Sequence, residues 1–198
     1  MTEVLKKQLE FLSIADGMKH VFRQTKLRED SRYENNAEHS WHFALMAMTL
    51  FEHCAIDGVC IDRVVKMAIL HDLVEIYAGD TPAQDVAANV DKDKREQEAA
   101  DKLFAYLPED QAQEYRSLWE EFDAMVTPDA IYASAVDVFQ SFYLIHIEGT
   151  AAPWVKFNAT VNRVRNRMLP VKTAIPELWP WVEAAIEENV ARGLLIRD

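Results

Sequence analysis

Two adjacent residues, His71 and Asp72, interrupt an apolar run, with Ala68, Ile69 and Leu70 before them and Leu73 and Val74 after. Burying a carboxylate without a partner costs several kcal/mol, so Asp72 requires one. A divalent cation serves the pair as a whole, because imidazole nitrogen and carboxylate oxygen both suit metals of intermediate hardness. The same reasoning reaches Asp137, a lone acid among Ala133, Ala135, Val136, Val138 and Phe139. It is ion-paired, bonded within its helix, or a metal ligand, and spacing alone does not choose. His39, beside Glu38, reads as a capping or core histidine as readily as a ligand. Glu75 follows His71 by four residues and Asp72 by three, so a continuous helix turns it towards the same face. Asp80 stands in Gly79-Asp80-Thr81-Pro82, where it either caps a turn or reaches the same end of the helix.

These residues need helices to bring them together. Leu5, Leu9, Leu12 and Ile14, with Met18 beyond, give an apolar stripe, and Gly17 marks a bend. Between His20 and Asn36 the chain turns polar and basic, with Arg23, Lys26, Arg28 and Arg32. That stretch is either a solvated loop or a source of one inward arginine, whose fork matches phosphate oxygens. Asn36 reads as the cap of a helix from about Ala37 to Cys54, apolar nearly all round and therefore buried. His42 and His53 on it read as ordinary packing or surface histidines. Asp62 reads as the cap of a helix running to about Tyr77, stopped by Gly79. A charged surface helix over 91–107 and a helix from Pro108 to about Met125 follow. Thr127-Pro128 opens a long helix to about Glu148. Further helices are expected over about Phe157–Met168 and Trp181–Leu195. The fold class is all-α, a single domain with no internal repeat.

The 198 residues carry a net charge of −12, from 21 basic and 33 acidic side chains. Such a balance weighs against long nucleic acids and anionic membranes, though one arginine and a metal suffice for a single nucleotide. Cys54 and Cys60 lack zinc-site spacing and read as small buried hydrophobes in a reducing compartment. The N-terminus lacks the apolar stretch of a signal peptide, and no run of about 18 apolar residues marks a membrane span. The expected location is cytoplasmic.

Taken together, His39, His71-Asp72 and Asp137 resemble the H…HD…D signature of HD-domain metal-dependent phosphohydrolases. Glu38-His39-Ser40-Trp41, Leu70-His71-Asp72-Leu73-Val74-Glu75 and Gly79-Asp80-Thr81-Pro82 are similar to its 5′-deoxynucleotidase-like branch. The likeness runs from about Leu9 to Phe142. It implies one HD domain over 1–198, with a catalytic core of about 9–148 and C-terminal helices over about 155–195. It further implies one divalent cation (Mn²⁺, Co²⁺, Mg²⁺ or Fe²⁺) held by His39, His71, Asp72 and Asp137. Such a cation polarises a phosphoryl group and acidifies water. By the same resemblance, Glu75 and Asp80 are catalytic acids, while Arg23, Asp80 and Thr81 contact a nucleoside 5′-monophosphate. Bacterial relatives carry Arg-Trp where this chain has Arg23-Gln24, so their deoxy preference does not carry over directly. Arg28, Arg32 and Lys19 are further candidates for the anion contact. Relatives are commonly dimeric, and exposed aromatics near Trp154, Trp179 and Trp181 allow a homodimer. Two other readings are another HD-type hydrolase acting on triphosphates or diesters, and a nucleotide-binding protein that keeps its metal only for structure. A two-metal site would need further histidines between Asp72 and Asp137, and there are none.

Overall fold

The computed structural model describes every residue except 29–31, 83, 84 and 86. In chain order, helix α1 (Glu3–Ala15) leads through a 3₁₀ turn (Asp16–His20) into a hairpin of β1 (Phe22–Lys26) and β2 (Tyr33–Asn35). Then follow α2 (Asn36–Leu50), α3 (Ile61–Leu70), the single turn α4 (Glu75–Ala78), α5 (Lys92–Phe104), α6 (Glu109–Ala124) and α7 (Pro128–Glu148). Four helices close the chain: α8 (Ala152–Lys156), α9 (Val161–Arg167), α10 (Leu169–Ala174) and α11 (Trp179–Ala191). The architecture is all-α apart from the small antiparallel hairpin.

Helix α7 is the spine. Thr127 Oγ1 accepts the Ala130 amide, Pro128 takes the first helical position, and Gly149 (φ 87°) releases the chain in the left-handed region. Tyr132, Ala133, Val136, Phe139, Phe142 and Ile145 are buried on it, and α2, α3, α6 and α10 pack around them. A window of this helix is long and apolar enough to cross a membrane by length and composition, but 67% of it is buried within the fold. A fully buried Val or Phe here contributes roughly 1.5–3 kcal/mol.

Several elements depart from the sequence-based expectations. The basic stretch after His20 is a hairpin rather than a loop. Asn35, not Asn36, caps α2: its side chain accepts the Glu38 amide while Glu38 accepts the Asn35 amide, a reciprocal capping box. Helix α2 stops at Leu50 and leaves Trp41, Leu45 and Met48 exposed, so it is not buried all round. The helix expected from Arg63 to Tyr77 breaks, with Cys60 as its cap and residues 71–74 forming turns between α3 and α4. On α1, Phe11 is the buried residue, whereas Leu5, Leu9 and Leu12 face outward. The helix expected over about Phe157–Met168 is present but shorter, as α9, with the unforeseen turn α8 just before it, and the last helix begins at Trp179. Cys54 is half-buried and Cys60 exposed, not core hydrophobes, and Trp154 is buried rather than on the surface.

Candidate metal and active site

Three segments far apart in sequence meet beneath one cavity, which Asp72 and Asp137 line. The first turn of α2 supplies His39, the turns after α3 supply His71 and Asp72, and the middle of α7 supplies Asp137. The two imidazole rings lie 5.2 Å apart between centroids, and Phe43 and Phe122 pack against His71 at 5.3 and 5.0 Å. Those apolar rings keep water from the back of the site.

The tautomers are fixed from behind. His39 Nδ1 is 2.7 Å from Gln140 Oε1, and His71 Nδ1 is 3.0 Å from the Ala68 carbonyl. Both acceptors are oxygens, so each Nδ1 carries the proton and each Nε2 presents a lone pair to the site. Gln140 is itself oriented, because its amide nitrogen donates to Glu34 Oε1 at 2.8 Å and reaches His42 Nδ1 at 3.2 Å. His42 is therefore part of the support behind the site rather than plain packing, while His53 meets Glu177 on the surface.

Each Nε2 faces oxygen. His39 Nε2 is 3.0 Å from Asp137 Oδ1 and 3.8 Å from Asp72 Oδ2; His71 Nε2 is 3.1 Å from Asp72 Oδ1 and 4.0 Å from Asp137 Oδ1. Both nitrogens are buried and make no aligned hydrogen bond. Lone pairs facing carboxylate oxygens repel unless a positive charge lies between them. His39, His71 and Asp72 form a cluster whose ligand atoms lie within 4.8 Å of one another, and this donor set fits a divalent cation. Without a cation, a proton takes that place: burial opposes charge on His71, yet Asp72 and Asp137 outweigh it and raise its pKa.

The carboxylates are tuned apart. Burial would raise Asp72, but His71, Arg23 and His39 hold it far below the ordinary carboxylate range. Asp137, likewise opposed by burial, is held at about 2 by His39, His71 and Arg23. Glu75 goes the other way: burial first, then Asp72 and Asp80, push it well above its ordinary value, while Arg23 and Asn36 pull only part way back. Asn36 Nδ2 donates to Glu75 Oε2 at 2.5 Å, so the residue expected as a helix cap instead anchors this acid. Asp80 is also raised, mainly by burial and then against the pull of Arg23.

Arg23 crosses the site from β1. Its guanidinium donates to Asp72 Oδ2 at 2.9 Å and Ser141 Oγ at 3.2 Å, and lies 3.7 Å from Glu34 Oε2 and 4.0 Å from Asp80 Oδ1. Thr81 lines the cavity, but its hydroxyl accepts from Arg95, which also donates to the carbonyls of Ala78 and Ala88 and so braces the turn carrying Asp80. Arg32 instead pairs with Glu38 in the capping box, away from the cavity lining. The cavity is about 430 Å³, and Asn89, Lys92, Arg163 and Arg167 line it as well. Glu34, Gln140, Lys92 and Arg167 were not singled out from sequence, and Asn36 was read only as a helix cap. Gln140 alone left a signal, a polar residue one turn beyond Asp137 on an apolar helix.

Comparison with known proteins places the fold and the family. Human 5′-deoxynucleotidase HDDC2 is 32% identical over 130 residues, covering 65% of this chain and 62% of that protein. The Danio rerio counterpart is 26% identical over 139 residues, covering 70% and 68%. The matched stretch thus spans under two thirds of the human protein's length. A crystal structure described as a predicted metal-dependent phosphohydrolase from Magnetospirillum magnetotacticum overlays with a TM-score of 0.90 at 40% identity, covering 97% of this chain and 95% of that one. An HD-domain phosphohydrolase from Listeria innocua shares the fold, with a TM-score of 0.61 at 17% identity over 94% and 95% of the two chains. The family model of the HD domain matches residues 15–179. With that match and the near-complete overlay, the chain belongs to the HD domain family.

Proposed function

We propose that the protein is a metal-dependent phosphohydrolase that releases phosphate from nucleoside 5′-monophosphates. The observation that carries this reading is the pair of bare Nε2 lone pairs converging with Asp72 and Asp137 beneath an open cavity. The relatives named 5′-deoxynucleotidase support the substrate class. In this reading His39, His71, Asp72 and Asp137 hold one divalent cation, with Mn²⁺, Co²⁺, Mg²⁺ and Fe²⁺ all compatible with two nitrogens and two carboxylates. A cation held there supplies Lewis-acid polarisation of the phosphoryl oxygens.

The protein's own groups do the rest. Arg23 fixes the Asp72 carboxylate, and Gln140 fixes His39, so the ligands need no rearrangement. Glu75 and Asp80 are both raised towards neutrality. That makes them the pair suited to proton traffic: one takes the proton of the attacking water and the other protonates the leaving 5′-oxygen as its bond to phosphorus breaks. Gln24 lines the cavity and accepts from Lys156 Nζ at 2.6 Å, a polar neighbour that tolerates a sugar hydroxyl. Weak discrimination between ribose and deoxyribose follows.

Phosphate release from ribo- and deoxynucleoside 5′-monophosphates, after chelation and re-addition of Mn²⁺, Co²⁺ or Mg²⁺, tests the assignment. Metal-dependent release is expected, and it should vanish in Glu75→Ala while metal binding persists. No release from any of these nucleotides by folded, metal-loaded protein would overturn it. The exposed Trp41, Leu45 and Met48 beside an apolar groove lined by Met46, Tyr143 and Trp181 support a homodimer, which solution molar mass checks.

A further inference from the structure

Four acids, Asp72, Glu75, Asp80 and Asp137, line the cavity that a phosphate dianion must enter. A cation offsets part of that charge, but the anion also needs a positive side chain not already committed elsewhere. Arg23 is bound to Asp72 and Ser141. Lys92 lies 3.5 Å from Glu96. Arg163 has a partner of its own. Among the described residues, Arg167 makes no ion pair or hydrogen bond and meets Asp137, Arg23 and Asp80 only through space.

Helix α9 aims it there. Thr160 caps this helix, and Val161 and Val164 bury its inner side. Arg163, Val164, Arg167 and Met168 all line the cavity, a single helical face at spacings of one and four residues. Arg165 faces the other way and holds both oxygens of Glu183 at 2.9 Å through Nε and Nη2. One short helix therefore carries one arginine committed to Glu183 and one uncommitted arginine on the face that lines the cavity.

We propose that Arg167 is a substrate contact that holds a phosphate oxygen of the bound nucleotide. This rests on the phosphomonoester reading above. A plain solvated arginine is the alternative, and the setting argues against it. The residue is exposed to solvent, yet it lines the cavity and lies within electrostatic reach of Asp137, Asp80 and the like-charged Arg23. Two guanidinium groups sharing an acidic pocket repel each other, and an anion between them removes that repulsion.

The test is titration calorimetry of inorganic phosphate into full-length protein, metal-free and Co²⁺-loaded, for wild type, Arg167→Gln, Arg167→Lys and Arg165→Gln. The last variant removes the same charge from the same helix without touching the cavity, and melting curves confirm that each is folded. Arg167→Gln should weaken phosphate binding about ten- to hundredfold, the range of a charged hydrogen bond. Arg167→Lys should recover part of the loss, and Arg165→Gln should stay within about twofold. The KM for a hydrolysed nucleotide should rise in parallel with the phosphate Kd, with kcat changing less. The proposal fails if wild type does not bind phosphate, if Arg167→Gln binds it as wild type does, or if Arg165→Gln weakens it equally. Should no nucleotide be hydrolysed while Arg167→Gln alone loses phosphate, the nucleotidase reading fails and the anion contact stands.

Discussion

A histidine ligates a metal only when its free nitrogen is the right one, and at His39 that choice is made by Gln140. Replacing Gln140 with leucine leaves His39 Nδ1 and Glu34 Oε1 without their shared partner and lets the ring turn. Losing such a support typically costs ten- to a hundredfold in metal affinity. Gln140→Leu should therefore bind Co²⁺ about that much more weakly in competition with a chelator, and wild-type affinity in this variant would refute the relay. Glu75 gives a prediction of opposite sign. Its folded pKa is raised above its unfolded value, so the native state keeps a proton that the unfolded chain has lost. Native stability from this group is complete below the unfolded pKa and is lost as pH rises through the folded one. Glu75→Gln mimics the protonated acid at every pH and can keep the Asn36 bond. In chelator, its melting temperature should match wild type near pH 4 and exceed it increasingly towards pH 8, by roughly 2–4 °C for each kcal/mol recovered. Hydrolysis by the same variant should be lost. A gap that narrows with rising pH would contradict the assignment.

At the scale of elements, the break between α3 and α4 does the positioning. A helix continued from Arg63 to Tyr77 would put Glu75 one turn above His71. The turns at 71–74 instead carry the candidate ligands His71 and Asp72 directly into Glu75, and Gly79 (φ 77°) then swings Asp80 back towards Arg23. What holds that return is Arg95, expected from sequence to be one more charge on a surface helix. Arg95→Ala frees three acceptors, Ala78, Thr81 and Ala88, at the edge of the cavity. It should lower kcat/KM about tenfold or more while shifting the melting temperature by only a few degrees. An unchanged kcat/KM would show that the turn stands without its brace. Sequence pattern reached α7 residue for residue because its signals are local: a Thr-Pro start and a glycine stop. It singled out His39, His71, Asp72 and Asp137 through buried charge and family motif together, and the structure links their side chains by contacts of 4.0 Å or less. It could not reach Glu34, Asn36 or Gln140, since each makes sense only beside a partner 39 to 106 residues away. The outer face of α1 misled for a related reason: Leu5, Leu9 and Leu12 form a good stripe, but the neighbour they would need does not lie there, and Phe11 fills the core instead.

Across the whole molecule, the site is where otherwise separate parts of the chain are tied. His39, His71-Asp72 and Asp137 come from α2, the α3–α4 turns and α7, and α5 and α9 add Lys92 and Arg167 to the walls. In a chain of net charge −12, so many acids gathered at one point repel each other and are held mainly by Arg23. A cation that binds this arrangement has no equivalent site in the unfolded chain, so its binding energy becomes folding energy. At a hundredfold excess over its dissociation constant that linkage is about 2.7 kcal/mol. At roughly 2–4 °C per kcal/mol for a chain of this size, chelation should lower the melting temperature by about 5–10 °C. Re-adding Mn²⁺ or Co²⁺ should restore it, and the shift should grow with the logarithm of free metal. Asp137→Asn keeps the size of the side chain but removes a charged ligand, so its metal-dependent shift should shrink sharply. A wild-type melting temperature indifferent to chelation would mean that the four residues hold one another through Arg23 and protons alone.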